Sequence, residues 1–388
     1  MLFPSRLHPE PKAFQSRELD TLIGVLRDEG YQVVGPTLQE RAIVFDTVTG
    51  AGDLPQGWTD RQGKGSYRLE RRDDEAYFGY AVGPHSWKKF LFPPARRLWR
   101  GTRSETRFEL DSELPEPPRF AFLGVRSCDL HAIRIQDRVF RDSRFADPDY
   151  AARRGRSFVV ALNCAVAGGN CFCVSMGTGP AVDEGFDLAL TELVDDDSHS
   201  FLVTAGTEAG EAILAKIPTR PATSEESAEG RTVVERTAAN MGRHVNARGV
   251  KELLYGAYEH PRWDDVANRC LACANCTMVC PTCFCSTVVD TSDLDGAHVE
   301  RTRQWDSCFT SDFSFAAGSP TRGSTRSRYR QWMTHKLATW FDQFGTSGCV
   351  GCGRCIAWCP VGIDITEELA TIQQTPDAQS STTPGGSS

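Results

Sequence analysis

The sequence predicts two domains of different class, an α/β domain over residues 1–217 and a mostly α-helical domain over 246–373. Three observations carry that reading. Strand-like and helix-like segments alternate as far as Ile217. A stretch rich in Pro, Ser and Glu, "PTRPATSEESAEGRT" (218–232), then opens a linker that runs to 245. Beyond it, cysteines crowd into two short runs joined by segments of helical spacing. With 388 residues the chain is long enough to bury more than one core.

In chain order, "LDTLIGVLRDEG" (19–30) has apolar residues at helical spacing and a glycine stop, and "YQVVG" then reads as a strand. The apolar runs at 42–48, 119–125 and 157–162 are continuous rather than alternating, the pattern of strands buried on both faces of a sheet. "SFLVTAGTEAGEAILAKI" (200–217) reads as strand, glycine turn, helix. In the second half "GVKELLYGAYEH" (249–260) is a helix stopped by Pro261. "STRSRYRQWMTHKLATWFDQFG" places Trp332, Met333, Leu337, Trp340, Phe341 and Phe344 on one stripe, which reads as core packing. Asp364, with Glu367 three residues on, has the signature of a capping box for a last helix. Residues 374–388 are polar and read as a disordered tail.

The net charge of −8 argues against nucleic acid as the main partner. No stretch approaches eighteen uninterrupted apolar residues, so no spanning helix is expected. "MLFPSRLHPEPKAF" lacks the apolar centre of a secretory signal. The expected location is therefore the cytoplasm, where thiols stay reduced. Fifteen cysteines is also an odd number for a disulfide framework. Charge is unevenly spread: 157–215 holds nine acids and no Lys or Arg, whereas 313–341 holds Arg322, Arg326, Arg328, Arg330 and Lys336 and no acid. Solvated faces and docking surfaces for partner subunits are the two readings.

The cysteine runs decide the second domain. Cys270, Cys273, Cys276 and Cys280-Pro281 have the spacing C-x2-C-x2-C-x3-C-P, and Cys349, Cys352, Cys355 and Cys359-Pro360 repeat it without deviation. A zinc ribbon would separate two C-x2-C knuckles by a dozen or more residues. Three cysteines at i, i+3 and i+6 instead wrap the backbone round three corners of a [4Fe–4S] cubane, and the fourth, before proline, reaches the other cluster. The expected ligands are Cys270, Cys273, Cys276 and Cys359 for one cluster, and Cys349, Cys352, Cys355 and Cys280 for the next. The domain is therefore expected to be a helical dicluster ferredoxin.

Seven cysteines remain. Cys128 and Cys164 each follow a predicted strand, and ligand sites in parallel α/β sheets gather beyond the carboxyl ends of strands. Cys171 and Cys173 come from the Gly-rich loop "GGNCFCVSMGTGP". These four form a candidate third cluster; small buried hydrophobes are the other reading. Cys283, Cys285 and Cys308 are candidate extra ligands, short of a cubane unless Asp306 or an outside group completes it. No G-x-G-x-x-G follows a strand and no Walker A sequence occurs. His131 lies close to Cys128 and reads as structural.

"FLGVRSCDLHAI", "NCFCVSMGTGP", "CTMVCPTCFC", "RYRQWMTHKL" and "GCVGCGRCIAWCPVGIDITEE" together resemble the iron–sulfur beta subunit of cytoplasmic nickel–iron hydrogenases, the sulfhydrogenases. The iron–sulfur subunit of anaerobic sulfite reductase, of the same family, is equally similar. The likeness runs from about residue 85 to 370, and Ser127 stands where the family would have proline. It implies a non-catalytic electron-transfer subunit. One partner would carry flavin and a [2Fe–2S] centre and exchange electrons with NAD(P)H. Another would handle hydrogen, or reduce sulfur or sulfite. The competing expectation is a self-contained reductase binding flavin or deazaflavin, with the "SMGTGP" loop as its support.

Overall fold

The computed structural model describes residues 10–374 apart from 105, 113–115, 196 and 197. All of the expected tail but Gln374, and two acids of the 157–215 stretch, Asp196 and Asp197, lie outside the described residues.

The amino-terminal half is built on an eight-stranded sheet. Its spatial order is Arg220–Pro221, Lys12–Gln15, His199–Ala205, Leu188–Val194, Phe158–Leu162, Phe120–Arg126, Gln32–Gln39 and Ala42–Thr47. The central strands run parallel, from Gln32–Gln39 through Phe120–Arg126 and Phe158–Leu162 to Leu188–Val194. Antiparallel strands flank them on both sides. The two strands of continuous apolar sequence, Phe120–Arg126 and Phe158–Leu162, sit in the middle and are buried along their whole length. Helices close both faces, which gives one apolar core around Leu22, Ile23 and Phe201 and a second around Trp87, Phe122 and Tyr150.

Two expectations are corrected. The 218–245 segment is no bare linker, because Ser224–Ala239 is a helix whose Gly230, Val233 and Thr237 are buried. Thr223 and Glu226 form a reciprocal capping box at its start, and the polar composition belongs to the exposed side of an amphipathic helix. The second half is also less helical than its spacing implied. The 68 residues between Cys280 and Cys349 contain strands Ser286–Ser292 and His298–Trp305 as well as the aromatic helix. His298–Trp305 pairs with Ala95–Arg103 from the first half, and Phe108–Asp111 completes a four-stranded antiparallel sheet. The two halves thus share a sheet.

They also share a core. Val82, Cys128, Ala132 and Cys173 from the first half pack with Trp340, Val350 and Cys352 from the second. The aromatic segment is Thr325–Thr334, a π-helical turn His335–Thr339, then Trp340–Phe344, capped by Gly345 at φ 68°. Trp332, Met333, Leu337 and Trp340 are buried as the stripe predicts, whereas Phe341 is exposed. The last helix, Ile365–Gln374, begins at Asp364, which accepts from Thr366 N at 2.9 Å. Glu367 does not return to complete a capping box; its carboxylate takes Lys64 at 2.7 Å.

Candidate metal centres

The two cysteine runs fold alike. In each, the residues before and after the second cysteine adopt the left-handed conformation: Ala272 and Ala274 at φ 51° and 66°, Gly351 and Gly353 at 65° and 74°. The third cysteine then rides on a one-turn helix, Asn275–Met278 or Arg354–Ala357. An amide bonds back to the first sulfur, Ala272 N at 3.4 Å from Cys270 Sγ and Gly351 N at 3.5 Å from Cys349 Sγ. The second run uses glycine because the amino-terminal half packs on it. A Cβ on Gly351 would lie 2.7 Å from Cys173 Cα, and one on Gly353 would lie 2.4 Å from the Asn170 carbonyl oxygen.

Three cavities result, each rimmed by four cysteines expected to act together. Cys270, Cys273, Cys276 and Cys359 surround the first, with Phe309, Tyr329, Trp332 and Ile363. Cys349, Cys352, Cys355 and Cys280 surround the second, with Lys336 and Phe172. Cys128, Cys164, Cys171 and Cys173 surround the third, with Arg126, Thr237, Met241 and Gly351. Each run therefore sends its pre-proline cysteine to the other run's cavity. The cavities also touch in series: Cys355 lines the first and the second, and Cys352 lines the second and the third.

Burial sets the charge state of the rim thiols. Burial pushes the Cys128, Cys276 and Cys355 thiols well up, and Cys173 and Cys349 up to about 12. Left to themselves they are protonated and inert; a bound metal would hold them as thiolates. Donors stand idle beside the cavities. Tyr329 and Trp332 line the first, yet Tyr329 Oη and Trp332 Nε1 are buried without a hydrogen-bond partner. Arg126 lines the third beside Cys164; its Nη2 donates to the Phe78 and Tyr80 carbonyls at 2.9 Å each, and its Nη1 has no partner. Sulfur-rich anionic clusters accept hydrogen bonds from such donors.

The third rim follows from sheet topology. Cys128 sits in the first turn of the Ser127–Phe140 helix, directly after the central strand, and Cys164 lies two residues beyond the neighbouring strand. Ser127 is the first residue of that helix, a position where proline is also well suited. The Gly-rich loop closes the rim and is tied to the second run. Phe172 N donates to Gly351 O at 2.8 Å, and Thr178 Oγ1 donates to Val350 O at 2.7 Å.

Cys283, Cys285 and Cys308 do not border these cavities. Cys283 lies against Cys280, and Cys285 against Cys308. The Cys308 hydrogen bond holds the Cys285 thiol down at about 7. Asp306 is occupied, accepting from Ser307 N at 2.7 Å and Thr310 Oγ1 at 2.6 Å. His131 is structural, 2.8 Å from Arg134 Nη2.

The sequence named every cysteine of the rims as a candidate, from spacing in the two runs and from strand ends and a Gly-rich loop in the third, but besides Arg126 two charged residues beside them were missed. Arg354 is fully buried, bidentate to Asp129 at 2.8 and 3.0 Å, and donates to the Gly83 and His85 carbonyls. The pair joins the residue after Cys128 to the residue before Cys355. Lys336 is the other, read only as one of the basic residues in 313–341. Of the remaining basic residues in that stretch, Arg326 pairs with Glu259 and Asp264, Arg328 donates to the Phe309 and Arg322 carbonyls, and Arg330 stacks on Tyr258. Those three serve the chain's own fold.

Residues 269–363 match the 4Fe-4S dicluster domain family. Over 317 residues the chain is 32% identical to Sulfhydrogenase 2 subunit beta of Pyrococcus furiosus, covering 80% of this chain and 90% of that one. The chain belongs to the sulfhydrogenase beta-subunit family. No solved structure matches it. As a member of this family with a dicluster domain, it has sites for two [4Fe–4S] clusters. Among the described residues no helix is long and apolar enough to cross a membrane.

Proposed function

We propose that this chain is the electron relay of a hydrogenase-type complex. Its electrons would pass between a flavin and [2Fe–2S] subunit that reacts with NAD(P)H and a second, catalytic partner. Nickel–iron hydrogenase is the first choice for that catalytic partner and a sulfite or sulfur reductase the second. Cys270, Cys273, Cys276 and Cys359 hold one [4Fe–4S] cluster, Cys349, Cys352, Cys355 and Cys280 a second, and Cys128, Cys164, Cys171 and Cys173 a third. The single observation that carries this is the run of three cysteine-lined cavities sharing cysteine walls. When bound, the clusters supply one-electron carriers whose potentials answer to nearby charge, hydrogen bonds and burial.

The protein's own part is fixation, spacing and exclusion of water. The second set is the middle station, because its cavity touches both others. Cys273 is exposed and Leu271 is 64% exposed, so the first set lies nearest the surface on that side. No side chain is assigned bond-breaking chemistry. Against the flavin-reductase alternative, the Thr178 hydroxyl of the "SMGTGP" loop is engaged by the Val350 and Cys173 carbonyls.

The test is anaerobic purification of the full chain with its co-purifying subunits, followed by nickel analysis of the partners and iron and flavin analysis of the separated chain. About 12 irons per chain, four per cubane, are expected, falling to about eight in Cys164→Ser. About eight irons in both would remove the third cluster. Flavin in the isolated chain would favour the alternative.

A further inference from the structure

A buried ammonium group stands against the middle centre. Lys336 is 3% exposed and lies in the π-helical turn His335–Thr339. Such turns insert a residue into helical register and gather at functional sites. Lys336 Nζ is 3.1 Å from Cys280 Sγ, 3.0 Å from Thr282 Oγ1 and 3.4 Å from the Gly348 carbonyl oxygen. The Thr282 hydroxyl gives its own proton to the Gly348 carbonyl at 2.6 Å, so it faces Lys336 as an acceptor. An ammonium has three protons to donate, and three acceptors meet it. None of them is a carboxylate. Burying a cation without counter-charge is costly, so the negative charge has to come from the sulfur site itself.

The two pre-proline cysteines differ in this respect. Cys359, the counterpart of Cys280, accepts from a neutral amide, Ile363 N at 3.3 Å. Lys88 is buried nearby, but its ammonium donates to the Cys283 carbonyl and lies over the Trp305 ring at 3.8 Å. The Arg354 charge is matched by Asp129. Among the described residues of the middle set, Lys336 is therefore a cation with no carboxylate partner in contact with a rim sulfur.

We infer that Lys336 is a positioning residue that raises the reduction potential of the middle centre, through a charge-assisted N–H···S bond to Cys280. The inference rests on the ligand sets given above. The step it acts on is a one-electron reduction, the electron arriving from a flanking centre, with the proton staying on Nζ. Reduction adds negative charge to the site, and a fixed cation at hydrogen-bond distance favours the reduced form. The middle station thus accepts electrons more readily than it would without the cation.

The experiment is a redox titration of the full-length, iron-loaded chain followed by low-temperature EPR. Lys336→Met keeps the length of the side chain and removes charge and donor. The reduction equilibrium of the middle centre is expected to fall at least tenfold, 59 mV for one electron, while the centre of the Cys270 run holds its value. Lys336→Arg, which keeps the charge, should restore most of the shift. A loaded Lys336→Met chain with both potentials unmoved overturns the inference. A second measurement needs no variant: unmodified protein labelled with 15N-lysine should show a 15N coupling in the pulsed EPR spectrum of the middle centre. Absence of that coupling overturns the inference too. An iron-free unmodified chain would instead strike at the ligand sets.

Discussion

Glycine and alanine occupy matched left-handed positions in the two cysteine runs, and their neighbours explain the difference. Gly351 and Gly353 lie under the 170–173 backbone, which leaves no room there for the methyl that Ala272 and Ala274 carry in the first run. Gly351→Ala forces both a left-handed alanine and a backbone overlap, and should cost about 3 kcal/mol in denaturant unfolding of the loaded chain. Ala274→Gly should be close to neutral. The crossed rims give a second residue-scale expectation. Cys280→Ser should perturb the EPR signal assigned to the 349–355 run, and Cys359→Ser that of the 270–276 run. If each variant altered only its own run, the crossing would be wrong. The cysteines were legible in the sequence because three thiols at i, i+3 and i+6 leave few other uses. Lys336 was not, because burial is a property of the folded neighbourhood, and a lysine among arginines reads as surface.

Buried ion pairs and shared strands decide how elements hold together. Asp129→Ala would strand the Arg354 guanidinium at zero exposure, which should cost about 3–5 kcal/mol. Asp129→Ala with Arg354→Met should recover part of that, a coupling readable in a double-mutant cycle. At the Ser224–Ala239 helix, Arg220 holds the Glu226 carboxyl down at about 2, from an ordinary 4.5. A depressed carboxylate stabilises the fold above its unfolded value. That contribution should be complete above about pH 5 and fade as pH falls towards 2, and added salt should shrink it because the pair is largely exposed. The central strands were legible as continuous apolar runs. The strands of the shared sheet were not: Ala95–Arg103 is arginine-rich and half-exposed, and a two-sided polar strand carries little hydrophobic signal.

At the scale of the molecule the halves were expected to be separable, and the third rim argues otherwise. Its four cysteines all precede residue 217, yet Thr237, Met241, Gly351 and Cys352 close the cavity. A fragment ending at 217 would therefore lack a wall, and the full chain is the proper object for iron counting. Iron removal should act on both halves together. Chelation is expected to lower the denaturant midpoint and to open the 164–180 loop and both cysteine runs to protease at the same time. Protection of the 164–180 loop after complete iron loss would show that packing alone closes the third rim.

That interleaving also sets an order of events during synthesis. The first cavity needs Cys359, and the second and third need Cys352, so none of the three can close until the second cysteine run has been made. At about 5–20 residues per second, Cys128 waits roughly ten seconds or more for its last wall. Metal offered to the nascent chain would meet incomplete rims, and a chain cut short before Cys352 would carry thiols with no finished site. Loading would thus wait for the second cysteine run, and a chain cut short before it would offer no finished site.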